Sequence, residues 1–143
     1  MPNLVDALLA IDDDKLLAKP TETIEIERLS KLTGTKFVLT LTAIPPTRSS
    51  EISTACVEMN RSGNRIKSFD TDKMHVLTIL EGVTSFDFNN AELKRRFKAA
   101  TPKDVVLTLF TAGEIVTIFK AIQELSGFTD EDAEKEEKEE VKN

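Results

Sequence analysis

The last third of this chain constrains its fold more than any other segment. Thr101-Pro102-Lys103-Asp104 reads as the start of a short apolar helix, and Thr111-Ala112-Gly113-Glu114 as the start of a longer one. Each opens on a hydroxyl side chain with a carboxylate three residues on, a pair suited to satisfying the free N–H groups of a first helical turn. Pro102 falls at the first helical position, where a missing N–H is harmless. Val105, Val106, Leu109 and Phe110 give the first helix an apolar side. Ile115, Ile118, Phe119, Ile122 and Leu125 form the stripe of the second. Gly127 suits the left-handed position past a helix end, from which Phe128 can fold back toward Ile122. Two apolar-faced helices in tandem require a core to face.

Upstream, the apolar period changes from helical to alternating. From Thr23 to Leu29, Ile24 and Ile26 share one face while Glu25 and Glu27 share the other. From Thr35 to Thr42, Phe37, Leu39 and Leu41 point one way and Lys36, Thr40 and Thr42 the other, with Val38 interrupting the polar face. Ser30 to Gly34 has the length of a hairpin connection. The reading is an antiparallel hairpin over 23–29 and 35–43, with Ile24, Ile26, Phe37, Leu39 and Leu41 buried. Two strands are marginal alone, so helices must cover that face. Pro45-Pro46 ends the sheet.

The remaining segments read as helices and linkers. Ile52, Ala55, Cys56 and Met59 form an i, i+3, i+4, i+7 stripe, closed by a polar turn over 60–64. Asp70 or Thr71 opens a helix to Glu81 that is apolar around much of its girth, and Gly82 ends it. Residues 83–90 form a linker carrying Phe86 and Phe88. Asn90 caps a short helix with Leu93 and Phe97 inward. Near the N-terminus, Leu4, Val5, Leu8 and Leu9 suggest a two-turn helix too short to persist undocked. A loop with a brief helical piece follows, stopped by Pro20. The expected class is α+β: an N-terminal β-hairpin packed against about five helices. Residues 1–128 are expected to form one domain, followed by a disordered acidic tail over 129–143.

Charge supports that division. The formal net charge is −6, and residues 129–143 hold eight Asp/Glu and three Lys, leaving the body near −1. A nearly neutral body offers no electrostatic footprint for phosphate backbones, so no nucleic-acid partner is expected. No stretch approaches 18 apolar residues and no signal-peptide pattern opens the chain, so no membrane partner is expected either.

Catalytic chemistry finds little to work with. His75 is the single histidine and Cys56 the single cysteine. Cys56 sits among helix-spaced apolar residues and reads as a buried, inert thiol. No HExxH, CxxC, glycine-rich phosphate loop or GxSxG elbow occurs. Asp12-Asp13-Asp14 lacks calcium-loop spacing and reads as a solvated loop. Lys94, Arg95, Arg96 and Lys98 read as the wet face of their helix. No enzyme, metal or cofactor is expected. The candidate contacts are aromatic: Phe86, Phe88, Phe110 and Phe119, in a chain with eight Phe and no Trp or Tyr to anchor a partner.

Four stretches carry a resemblance: Thr23-Ile24-Glu25-Ile26-Glu27-Arg28-Leu29; Lys36-Phe37-Val38-Leu39-Thr40-Leu41-Thr42-Ala43-Ile44; Asn90-Ala91-Glu92-Leu93-Lys94-Arg95-Arg96-Phe97 running into Ala100-Thr101-Pro102-Lys103-Asp104-Val105-Val106; and Leu109-Phe110-Thr111-Ala112-Gly113-Glu114-Ile115, ending Ile122-Gln123-Glu124-Leu125-Ser126-Gly127-Phe128. Over about residues 20 to 128 the chain resembles the XkdN-like tail assembly chaperones of contractile-tailed phages and prophages. The resemblance implies a non-catalytic factor that binds the tape measure protein during tail assembly. It further implies the tail tube protein as a second partner, a homo-oligomer as an option, and a location in the cytoplasm of the bacterial host rather than the mature virion. The competing class is a phage morphogenesis adaptor or an oligomeric structural subunit of the tail.

Overall fold

The computed structural model describes residues 3–128 and has the α+β architecture expected from the sequence. The expected tail over 129–143 lies outside the described residues. A two-stranded antiparallel sheet pairs β1 (Thr21–Glu25) with β2 (Val38–Thr42), in a register that sets Ile24 opposite Leu39 and Thr21 opposite Thr42. Leu39 and Leu41 are fully buried and Ile26 is buried, while Ile24 and Phe37 are half-buried at the margin. Val38 stays exposed on the other face.

The connection between these strands corrects the hairpin reading. Residues expected as the end of a strand and a turn form a helix, α3 (Glu27–Thr33), closed by Gly34 at φ 70°. Ile26 and Leu29, three apart, both reach the core once the backbone coils, and only a residue without Cβ tolerates that left-handed cap cheaply. The Ser30 hydroxyl donates to Glu25 Oε2 at 2.8 Å and accepts from the Phe37 amide at 2.8 Å, tying the helix to both strand ends.

Pro45-Pro46 ends the sheet, with Pro46 opening α4 (Pro46–Ala55) at its first position. The expected helical stripe through Met59 does not form. After the buried Cys56 the chain becomes a small hairpin, β3 (Val57–Met59) with β4 (Ile66–Phe69), and Met59 is exposed opposite Ile66. The Asn60 side-chain carbonyl organises the turn, accepting from Ser62 Oγ at 3.0 Å and from the Asn64 amide at 3.1 Å. The Asp70 amide donates to the Cys56 carbonyl at 2.8 Å and closes the base.

The core is built on α5 (Thr71–Gly82) and α8 (Ala112–Leu125), which pack against each other, with α8 also lying on both strands of the first sheet. Val76 and Ile79 meet Ile118 and Ile122 in the interior, joined by Val105 and Val106 of α7 (Pro102–Leu109). Gly82 permits this approach: a Cβ there would lie 2.7 to 2.9 Å from three Ile122 side-chain carbons. Residues 83–90 run as a strap along the outer edge of β2. Leu41 bridges to Val83, the Thr84 amide donates to Thr40 O at 3.0 Å, and the Thr40 amide donates to Ser85 Oγ at 2.9 Å. The strap covers an edge that would otherwise present unpaired backbone groups. Asn90 then caps α6 (Ala91–Phe97), whose N-cap was legible in the sequence.

The N-terminal segment behaves differently. α1 (Leu4–Leu9) and α2 (Asp13–Leu16) bury no residue, and Leu4, Val5, Leu8, Leu9, Ile11, Leu16 and Leu17 are all exposed. The helices form where expected, but they do not dock on the body.

Candidate protein-binding surface

The four phenylalanines singled out from the sequence do not lie on one surface. Phe86 and Phe88, alternating on the strap, stack at 4.8 Å between ring centroids. Phe86 reaches Phe37 at 5.7 Å, and Phe88 meets Phe110 edge-on at 6.1 Å. Tilted and edge-to-face pairs at these distances add to the area they bury. Phe88 and Phe110 are buried, so this ladder pins the strap onto the core. Phe119 is also buried and its ring lies 4.3 Å from that of His75. Phe86 alone of the four keeps an exposed flank, in an open depression it shares with Leu93, Asn90 and Arg96.

The better-formed concavity lies elsewhere, between the N-terminal turns of α5 and α8 and the side of α7 that carries Lys103 and Leu107. It is a groove of about 470 Å³ with Val76, Leu107, Ala112, Ile115 and Val116 as its apolar surface. Asp70, Asp72, Lys73, His75 and Lys103 form its rim. Leu107 is 48% exposed and Val116 36%. Both sit beside the buried stripes of their helices, which is why a search for helical periodicity passes over them. The only signal available in the sequence was apolar residues just off each stripe, and such positions are common on protein surfaces.

Each of the three helices that line the groove opens on a side-chain cap. Asp70 Oδ1 accepts from the Lys73 amide at 3.0 Å, and Thr101 Oγ1 accepts from the Asp104 amide at 3.3 Å. Thr111 and Glu114 form the reciprocal capping box foreseen from the sequence, at 3.2 and 2.9 Å. One first-turn N–H of each helix thus finds a side-chain partner, and each helix start carries its own carboxylate. An anionic ligand gains little from such ends. The groove is suited to an apolar surface edged by both signs of charge.

One ion pair fixes the turn beneath it. Arg28 Nε lies 3.0 Å from Glu114 Oε2, and its terminal nitrogen donates to Glu114 Oε1 at 2.9 Å and to the Leu109 carbonyl at 2.7 Å. The hydrogen bonds from Arg28 hold the Glu114 carboxyl below its ordinary value, opposed by partial burial and helped by the Thr111 backbone. The same pairing raises the Arg28 guanidinium. This latch joins α3 to the α7–α8 corner. Arg48 makes a comparable surface network with Glu81 and Glu51.

The remaining candidates keep structural places. Cys56 is buried. Asp12 to Asp14 are exposed as expected, but Asp13 and Asp14 form the first turn of α2 rather than a loop. Lys94 reaches Asn89 Oδ1 at 2.8 Å, while Arg95, Arg96 and Lys98 form the outer side of α6. Among the described residues, no group of three His, Cys, Asp or Glu side chains is placed to hold a metal ion.

Comparison with known proteins bears on this arrangement. No curated protein matches the sequence. The crystal structure of the protein YqbN superposes with a TM-score of 0.55 at 19% identity, covering 76% of this chain and 87% of that one, which shows a shared fold. The profile of the phage XkdN-like tail assembly chaperone protein, TAC, matches residues 5–142, and the chain belongs to that family.

Proposed function

We propose that this chain binds the tape measure protein of a contractile phage tail, keeping its apolar helices soluble while tube subunits assemble around it. The observation that carries the reading is membership of the tail assembly chaperone family over nearly the whole chain. The α5–α7–α8 groove supplies a surface for it. An extended helical client has an apolar stripe that aggregates in water, and a groove of aliphatic side chains with a charged rim can cover part of such a stripe. Binding of this kind needs no reacting group. On this reading the protein acts in the host cytoplasm, is absent from the finished virion, and hands its client to the tail tube protein.

Co-expression with the tape measure product, followed by pull-down, tests the proposal. Leu107→Asp and Val116→Asp place a charge in the groove at already exposed positions. The expected result is client solubilised by the native chain and lost with either variant, while the circular dichroism spectrum stays unchanged. Absence of association between folded native protein and client at micromolar concentration overturns the reading. A morphogenesis adaptor or a structural tail subunit then takes its place.

A further inference from the structure

The N-terminal arm and the groove are each incomplete alone, and the arm leaves the body at the opposite end of α8 from the groove. The arm leaves the body at Pro20, whose carbonyl accepts from the Ala43 amide at 3.1 Å. The adjoining Ile44 amide donates to Ser126 Oγ at 2.9 Å, so the exit lies beside the C-terminal end of α8. The groove is built from the other end of the same helix, at Ala112, Ile115 and Val116. With 14 residues in α8, the two ends are separated by about 20 Å at the usual helical rise. An arm serving its own groove would have to run back along the body, yet α1 and α2 bury nothing against it.

We infer that the arm of one copy of this chain, residues 3–17, docks in the α5–α7–α8 groove of a second copy, and that two copies exchange arms about a two-fold axis. Three observations support a second copy as the occupant. The first is area. The four aliphatic side chains of α1, Leu4, Val5, Leu8 and Leu9, have a bulk that matches the groove and present roughly 450–500 Å², so that two exchanged arms bring about 1,000 Å², the size at which a specific interface begins.

The second is chemistry. The arm is an aliphatic segment with Asp6 inside it and Asp12 to Asp14 between its apolar clusters. The groove presents Leu107 and Val116 with Lys103 on the rim, and Lys103 makes no ion pair among the described residues. On the rim Asp70 is occupied as a helix cap, and Asp72, next to Lys73 in sequence, is the remaining carboxylate. The third is polarity. An arm that exits at one end of α8 and a groove at the other can satisfy each other between two antiparallel copies, and the exchange closes with no groove left without an arm. Since the groove is also the proposed client surface, the exchanged arm covers it between clients. The inference itself rests on arm and groove and is tested without any client.

The test uses the full chain. Sedimentation equilibrium is run from micromolar to sub-millimolar concentration on the native protein, on an arm variant (Leu8→Asp with Leu9→Asp) and on a groove variant (Val116→Asp), with circular dichroism to check folding. The expected result is a concentration-dependent dimer for the native chain and a monomer for each variant. Mixing the two variants should recover a heterodimer at weaker affinity, because one intact arm then meets one intact groove. A native chain monomeric throughout overturns the inference. So does an arm variant that dimerises like the native protein, or a mixture that stays monomeric while each variant is folded. Failure of client capture leaves all these readouts unaffected.

Discussion

Residues 4–17 and residues 112–125 are both rich in aliphatic side chains at helical spacing, yet they end in opposite environments. α8 buries Ile118, Phe119 and Ile122. α1 and α2 bury nothing. The difference lies in length and neighbours rather than hydrophobicity. α8 runs 14 residues, opens on a reciprocal capping box, ends in Gly127 and Phe128 with amide bonds back to Glu124 and Gln123, and finds α5 and both strands to face. α1 runs six residues with one cap from Asn3 and no partner. A helix of that length lacks the internal hydrogen bonds to persist alone. Apolar periodicity thus identifies which face of a segment wants cover, and says nothing about what provides it.

Substitutions can break or sharpen this contrast. The largest effect is expected for Ile122→Ala, which leaves a cavity between α5, α8 and the sheet and should cost about 2–5 kcal/mol in chemical denaturation. A loss near that expected for a surface site would mean the two regions differ less than their burial implies. Gly82→Ala should follow at about 1–3 kcal/mol, because the added methyl meets Ile122 with no room to shift it away from the core.

The latch gives a smaller, pH-dependent effect. Glu114→Gln keeps an acceptor for the Thr111 amide but removes the charge facing Arg28, and should cost about 1 kcal/mol at neutral pH. Glu114 has a lowered value when folded, so its contribution is fully present above its ordinary value of 4.5 and is lost as pH falls through the folded value. The stability gap between native and Glu114→Gln proteins should therefore be constant from pH 7 to about 5 and close below that. A gap unchanged at pH 3 would place the effect in packing rather than charge.

Smallest of all, Leu9→Ala should change the stability of the dilute protein by less than about 0.5 kcal/mol. A loss above 2 kcal/mol would show that the arm packs on its own body and would remove the contrast between the two segments.

The helices from Thr71 onward were legible because each start has a side-chain cap, and from Asn90 onward each interior also has a stripe, signals confined to one turn or one face. The buried pair Leu39 and Leu41 was legible from alternation alone. Residues 27–33 were not. Ile26 and Leu29 fit the end of a strand or the start of a helix equally well, and burial of both against the core chose the helix. Residues 57–69 were not legible either, because Met59 continued a helical stripe that the chain leaves once Cys56 is buried. In the candidate surface, Phe88, Phe110 and Phe119 stood out as aromatic groups beyond core needs, and the core takes them in. Leu107 and Val116 had no signal, since exposure depends on which helices converge around a position.

Local rules therefore determined the helix starts from Thr71 onward, their caps and the alternating strands, because each depends on residues a few positions apart. Tertiary structure decided the rest. It placed Ile122 against Gly82, folded the strap over the edge of β2, brought three helices together around one groove and left the arm without cover. Each of those outcomes depends on surfaces distant in sequence competing for the same apolar contact, a competition that no window of neighbouring residues contains.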